Sequence, residues 1–158
     1  MKNAVVSVTT FNAGDAFNII PQRAELTGTV RTLEPDVLDL VEARMAALVP
    51  KIAEAFGATA TCRYDRNYPL TVNHDEQVEK AIAVACDVAG DTNVNPDIAP
   101  MMGGEDFSFM LNACPGAFIF TGNGDSAGLR HPAYDFDDNA IPHGASYWGR
   151  LAEKLLAA

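Results

Sequence analysis

The chain has few cysteines, few basic residues and no long apolar run. Its three cysteines, Cys62, Cys86 and Cys114, are an odd number in 158 residues, and no CxxC spacing occurs. That excludes a disulfide scaffold and a zinc-ribbon spacing, and leaves free thiols in a reducing compartment as the expectation. Lysine and arginine number 11 against 21 acidic residues, a formal net charge of −10. Nucleic acid is gripped by clustered Lys and Arg, so no nucleic-acid partner is expected. Nothing approaches the roughly 20 consecutive apolar residues of a membrane-spanning helix, so no membrane partner is expected either. The first dozen residues lack a basic stretch followed by an apolar run. No signal peptide is therefore expected, and the location expected is cytoplasmic. The three histidines, His74, His131 and His143, share no short-range ligand spacing. No internal repeat or low-complexity tract is visible.

What is present is an ordinary globular composition, 48% hydrophobic and 20% charged. The length suits one domain or parts of two, and it suffices for a real core. Residues 2–11, KNAVVSVTTF, alternate and are rich in β-branched side chains, which predicts a strand. A turn follows, then a second alternating strand over 24–33, AELTGTVRTL. Glu34-Pro35 opens a helix whose apolar positions run from Val37 to Leu48. Pro50 is expected to kink or break it, and Gly57 to cap its end. Residues 58–68 read as a third strand. Strand, strand, helix, strand is a ferredoxin-like split βαβ unit without its opening strand and helix, with an exposed sheet edge.

The second half differs. Residues 68–73, YPLTVN, read as a linker. An amphipathic helix is predicted over 75–88, a short helix through Leu111, and a final helix over 138–156. Residues 116–121, GAFIFT, form an all-apolar run of the buried, parallel-sheet type. A glycine-rich loop over 122–130 follows it.

Four features could carry chemistry. His131 follows the glycine-rich loop and faces Asp135, Asp137 and Asp138. An imidazole at a strand end is a suitable metal donor, and equally a loop histidine with one hydrogen bond. Gly103-Gly104-Glu105-Asp106 places two carboxylates after two glycines at a helix start. They would serve as N-terminal capping, or as a glycine-lined approach with an acidic group beside a cation. Asn18 and Arg31, thirteen residues apart, flank the hairpin connection. Arg31 could hold a carboxylate with its fork and Asn18 could add an amide donor, or both could be surface residues.

Four separated strings, AGDAFNIIPQRAELTGTVRTL, YPLTVN, MMGGEDFSFML and GLRHPAYDFDDNAIPHGASYW, occur in order along almost the whole chain. Together they resemble the C-terminal part of the aminoacylase-like metallopeptidases, in the hippurate hydrolase and N-acyl-amino-acid amidohydrolase branch. The resemblance implies an α/β fold in two pieces. Residues 1–68 would be part of a ferredoxin-like lid, often the dimerisation domain. Residues 69–158 would be the C-terminal portion of a zinc-peptidase-like α/β catalytic domain.

The resemblance also implies an activity: hydrolysis of N-acyl amino acids or peptide-like amides by a metal-activated water. Two cations would lower that water's pKa and stabilise the oxyanion. His131 matches the family's C-terminal metal-ligating histidine. Asn18 and Arg31 match lid positions that hold the substrate carboxylate, and Gly103 and Gly104 match the loop lining the substrate pocket. Glu105 matches an acidic position near the metals, touching one or supporting a ligand.

The family's N-terminal motifs are not found in the 158 residues. These are a Cys-Gly-His-Asp-type string, paired glutamates that include the general base, and a further metal-binding histidine. The expectation is therefore a piece of a hydrolase, inactive alone, with no catalytic base of its own. The divalent metal of the intact enzyme would be zinc, manganese, cobalt or nickel, and this piece need bind none. Its expected partners are a second copy or the missing N-terminal half. A non-catalytic interaction module, or one half of a split enzyme, is the alternative.

Overall fold

The computed structural model describes residues 3–157. The chain is a mixed α/β structure and divides into two compact units. One comprises residues up to 70 together with 100–106, the other 71–99 together with 107 onward.

The first unit is built on an antiparallel hairpin, β1 (Ala4–Ala13) and β2 (Ala24–Thr32). Lys2, the start of the expected first strand, lies outside the described residues. The register pairs Val5 with Arg31 and Ala13 with Ala24, and slips by one residue between Val8 and Thr10. Thr9 is the extra residue of that bulge, and Gly28 sits opposite it. A Cβ built at Gly28 would overlap the Ser7 carbonyl oxygen, so the bulge admits no side chain there.

Helix α1 (Pro35–Ala55) follows β2. Pro35 stands in its first turn, where no N–H is needed. Of the kink or break expected at Pro50, the break does not occur: the helix runs through Pro50 to Ala55. Pro50 and Ala46 are both exposed, so the Ala46 carbonyl that loses its donor is left to water. The helix ends as expected at Gly57, with φ of 71°. The Gly57 N–H bonds to the Glu54 carbonyl at 3.0 Å and the Ala58 N–H to the Ala53 carbonyl at 2.9 Å. This pair of bonds is a Schellman ending, and glycine allows its left-handed turn.

Residues 58–68 form no strand, against expectation: no ladder partner lies beside them among the described residues. Arg66 instead ties this segment to α1 through Asp39, at 2.7 Å, and Glu42.

The second unit contains α2 (Asp75–Ala89), α3 (Phe107–Ala113) and α4 (Ala140–Leu156). Its core is Val84 and Ala81 of α2 against Tyr147 of α4, flanked by Ala85, Ala117 and Leu151. Burying Val84 contributes about 2 kcal/mol. Asp87 clamps the two helices at their surface, accepting from Lys154 at 2.5 Å and Arg150 at 3.4 Å.

The apolar run 116–121 is also not a ladder strand, yet it is held like one. The Asn73 amide donates to the Phe118 carbonyl at 2.8 Å and accepts the Phe118 N–H at 2.7 Å. The His74 N–H donates to the Gly116 carbonyl at 3.1 Å, and the Gly116 N–H donates to His74 Nδ1 at 3.2 Å. Two side chains and one backbone N–H thus stand where a neighbouring strand would be.

Candidate functional site

In the first unit the structure brings Arg31 and Gly104 together. Arg31 lies near the end of β2, half-buried, beside the buried Thr32. One of its N–H groups donates to the Val30 carbonyl at 3.1 Å, which orients the fork. A Cβ at Gly104 would stand 3.6 Å from Arg31 Nη2 and 3.5 Å from the Tyr68 ring. Glycine therefore leaves open the space beside the guanidinium that any other residue would occupy. Gly103 has nothing within 4 Å of its missing side chain, so both glycines keep the backbone approachable.

Tyr68 forms the third side of this corner; in the sequence it stands where the expected third strand meets the 68–73 linker, with no role of its own. The one available signal was an aromatic residue immediately before Pro69. Tyr64 also feels the corner. Its phenol pKa is pushed up by burial and by Glu42, while Arg66 and Arg31 pull it down. A planar, permanently charged fork beside an open backbone suits a carboxylate, which accepts two parallel hydrogen bonds from arginine. Glu105 follows Gly104 in the same unit.

Asn18 is not at this corner. It lies in the exposed loop that closes the hairpin at the Ala13–Ala24 end. Arg31 is seven residues up the ladder from Ala24, about 23 Å of strand. The loop around Asn18 also exposes Phe17 and Ile20 almost completely.

In the second unit His131 sits on an exposed turn. Its N–H bonds to the Gly128 carbonyl at 3.1 Å, and its carbonyl accepts the Tyr134 N–H at 2.9 Å. The Ala133 N–H donates to His131 Nδ1 at 3.1 Å. A neutral ring held this way carries its proton on Nε2, and its lone pair points into the turn. Arg130, immediately before it, is the one non-glycine residue with positive φ among the described residues, at 67°.

The neck of this loop is closed by Asn123, also unforeseen from sequence. Its amide donates to Ser126 Oγ at 2.8 Å and to the Asp135 carbonyl at 2.7 Å, and accepts the Asp137 N–H at 2.8 Å. Asp137 turns its carboxylate to Asn139, whose N–H and amide donate to it at 2.9 and 2.8 Å. A mostly apolar recess of about 260 Å³ lies beside the turn, between Thr121, Tyr134, Phe136 and Ile141.

These residues do not make a metal centre on their own. Among the described residues no three of His, Cys, Asp and Glu converge as a cation site would require. His131 is a single donor.

Comparison with known proteins shows what the chain is similar to. A sequence model described as peptidase family M20/M25/M40 matches residues 4–154. A hippurate hydrolase of Campylobacter jejuni is 35% identical over 154 residues, covering 98% of this chain and 40% of that enzyme. An N-acetylcysteine deacetylase of Bacillus subtilis is 33% identical over 156 residues, covering 99% of this chain and 40% of its own length. Among solved structures, the Bacillus subtilis YXEP protein, described as a dinuclear metal binding peptidase from the M20 family, superposes with a TM-score of 0.75. It shares 31% identity, and the match covers 99% of this chain and 43% of that one. The chain thus spans about two-fifths of the length of the relatives it matches.

Proposed function

The chain belongs to peptidase family M20/M25/M40, and from that premise we propose that it supplies the carboxylate-holding side of a metal-dependent amidohydrolase acting on N-acyl amino acids or small peptide-like amides. The observation that carries this reading is the corner of Arg31, Gly104 and Tyr68. An N-acyl amino acid presents one carboxylate next to its amide. A guanidinium fork fixes that carboxylate in the plane of its two N–H groups. The glycine pair leaves room for the substrate backbone, and the half-exposed Tyr68 ring offers an apolar wall. Holding one end of the substrate in this way sets the position of the amide carbon.

Splitting the amide needs an activated water and stabilisation of the tetrahedral oxyanion. The described residues bring together no group that does either; His131 is the metal-ligand candidate and Glu105 the near-metal one. We therefore read the chain as the C-terminal portion of the hydrolase, inactive alone, with the other groups supplied by polypeptide it does not span. Residues 1–68 take the lid role in this reading and 69–158 close the catalytic domain. The position of Asn18 bears on assembly. Its amide and Arg31 can hold one substrate only if the hairpin tip comes from a second copy, which favours a homodimer.

The test is carboxylate recognition, which needs no catalysis. Titration with hippurate, followed by the NMR signals of the Arg31 side chain, should give saturable binding. The primary amide of hippurate, which lacks the charge, should not bind. Arg31→Ala should weaken hippurate binding roughly 10- to 100-fold, the worth of a charge-assisted hydrogen-bonded pair. Arg31→Lys should restore only part of it. Equal binding of hippurate and its amide contradicts the assignment.

A further inference from the structure

We propose that Asn123 is a self-modification site: when the neck of the His131 loop opens, the Gly124 backbone nitrogen displaces the Asn123 amide as ammonia, and the aspartate or isoaspartate left behind cannot close the neck as before. The chemistry is local to the second unit and does not depend on the hydrolase reading.

The sequence supplies the reactive pair. Asn123 is the one asparagine of the chain followed by glycine. A side chain on the following residue would crowd its backbone nitrogen, and glycine leaves that nitrogen approachable. Gly124 is exposed and stands at φ of 70°. Its carbonyl accepts the Ser126 N–H at 3.2 Å, whereas among the described residues no backbone hydrogen bond occupies its own N–H.

The step balances with water as the only co-reactant. The Gly124 nitrogen attacks Asn123 Cγ and gives up its proton to solvent. The Cγ–Nδ2 bond breaks, and Nδ2 takes up a proton and leaves as ammonia. A cyclic imide results, and one water opens it. Hydrolysis at Cγ gives aspartate. Hydrolysis at the main-chain carbonyl carbon gives isoaspartate, which carries an added methylene in the backbone.

The fold holds this reaction back. Nδ2 donates to Ser126 Oγ at 2.8 Å and to the Asp135 carbonyl at 2.7 Å, and Oδ1 accepts the Asp137 N–H at 2.8 Å. Nδ2 cannot depart without giving up both acceptors. Turning Cγ onto the Gly124 nitrogen moves Oδ1, which the Asp137 N–H holds. The reaction therefore runs through a locally open neck, at a rate set by the population of the open form. Each net hydrogen bond is worth about a fivefold factor in that population, so three of them lower it roughly a hundredfold.

The product does not restore the neck. A carboxylate only accepts hydrogen bonds. It can keep the Asp137 N–H, and the Ser126 hydroxyl can rotate to donate to it. The Asp135 carbonyl, however, loses its donor and faces a charged oxygen in its place. The new charge also enters a stretch that already carries Asp125, Asp135, Asp137 and Asp138. The bond from Asn123 to Asp135 spans the loop that contains His131, so its loss frees the turn on which His131 stands.

The experiment incubates the whole chain in mildly alkaline buffer. Mass spectrometry follows each asparagine peptide, with electron-transfer fragmentation separating aspartate from isoaspartate. Asn123 should convert before any other asparagine and give both products. In guanidinium the same site should convert roughly a hundredfold faster. Ser126→Ala, an exposed change that removes one acceptor, should convert about fivefold faster than the parent chain in buffer and at the parent rate in guanidinium. Asn123→Asp, which writes the product into the gene, should speed amide hydrogen exchange at His131 and Tyr134 about fivefold or more.

Equal rates in buffer and in guanidinium overturn the proposal, since the neck would then protect nothing. Aspartate without isoaspartate overturns it too, because the Gly124 nitrogen would take no part. So does unchanged exchange at His131 and Tyr134 in Asn123→Asp, which would leave the neck closed after conversion.

Discussion

Asn73 shows how much structure a single side chain holds. Its amide supplies both the donor and the acceptor that a neighbouring strand would offer to Phe118. Asn73→Ala should therefore destabilise the second unit by about 2 kcal/mol, two net hydrogen bonds at a partly buried place. Urea unfolding followed by the fluorescence of Trp148, the one tryptophan of the chain, measures this directly; an unchanged midpoint contradicts it.

Asp87 makes a second prediction at this scale. Its carboxyl is held below its ordinary range by the hydrogen bond from Lys154, then by that from Arg150, against a burial effect of opposite sign. A carboxyl depressed in the folded state binds fewer protons there than when unfolded. Its contribution is present above the ordinary aspartate value of about 4 and is lost as pH falls through the lower folded value. Stability of the second unit should thus drop on acidification below about pH 4, and Asp87→Asn should flatten that part of the profile. Identical pH profiles for the two proteins would contradict the assignment.

None of these side-chain roles was legible in the sequence. Asn73 and Asn123 read as loop residues because amides are common in loops, and what matters is which distant backbone they meet. Arg31 and Gly104 were singled out from sequence, but their proximity, with Tyr68 beside them, is a fact of tertiary structure.

At the scale of elements, the helices were the most legible parts. The 3.6-residue spacing of apolar positions, Pro35 at the start and Gly57 at the end delimit α1, because these signals are local. Pro50 does not end the helix for a physical reason: proline's cost depends on whether the carbonyl it deprives of a partner is buried. Here the position is exposed and water satisfies Ala46. The remaining cost is real, so Pro50→Ala should stabilise the first unit by about 1–3 kcal/mol. The check is the midpoint of helix loss by far-ultraviolet circular dichroism in urea, and a lower midpoint contradicts it.

The strands were legible only where both partners are present. β1 and β2 pair with each other through a short connection. Residues 58–68 and 116–121 have strand-like composition without a ladder. A strand is a property of two segments, and alternation in one of them cannot supply the other.

At the scale of the whole chain, apolar surface outruns the core. Val37, Ala81, Val84, Leu111 and Tyr147 are buried, whereas Phe17, Ile20, Phe56, Leu129 and Leu156 stand more than three-quarters exposed. The family was legible from four motifs in order. A complete metal centre was not, since the described residues do not bring one together. The chain thus combines the corner of Arg31, Gly104 and Tyr68 with the exposed turn of His131, and spans about two-fifths of the length of the relatives it matches.

The most direct test of this account is hydrolysis of a panel of N-acyl amino acids by the purified 158-residue chain, supplied in turn with zinc, manganese, cobalt and nickel. The account predicts no turnover above the metal-only blank with any of the four. Turnover that a chelator abolishes would show that this chain assembles a complete centre by itself, and would contradict it.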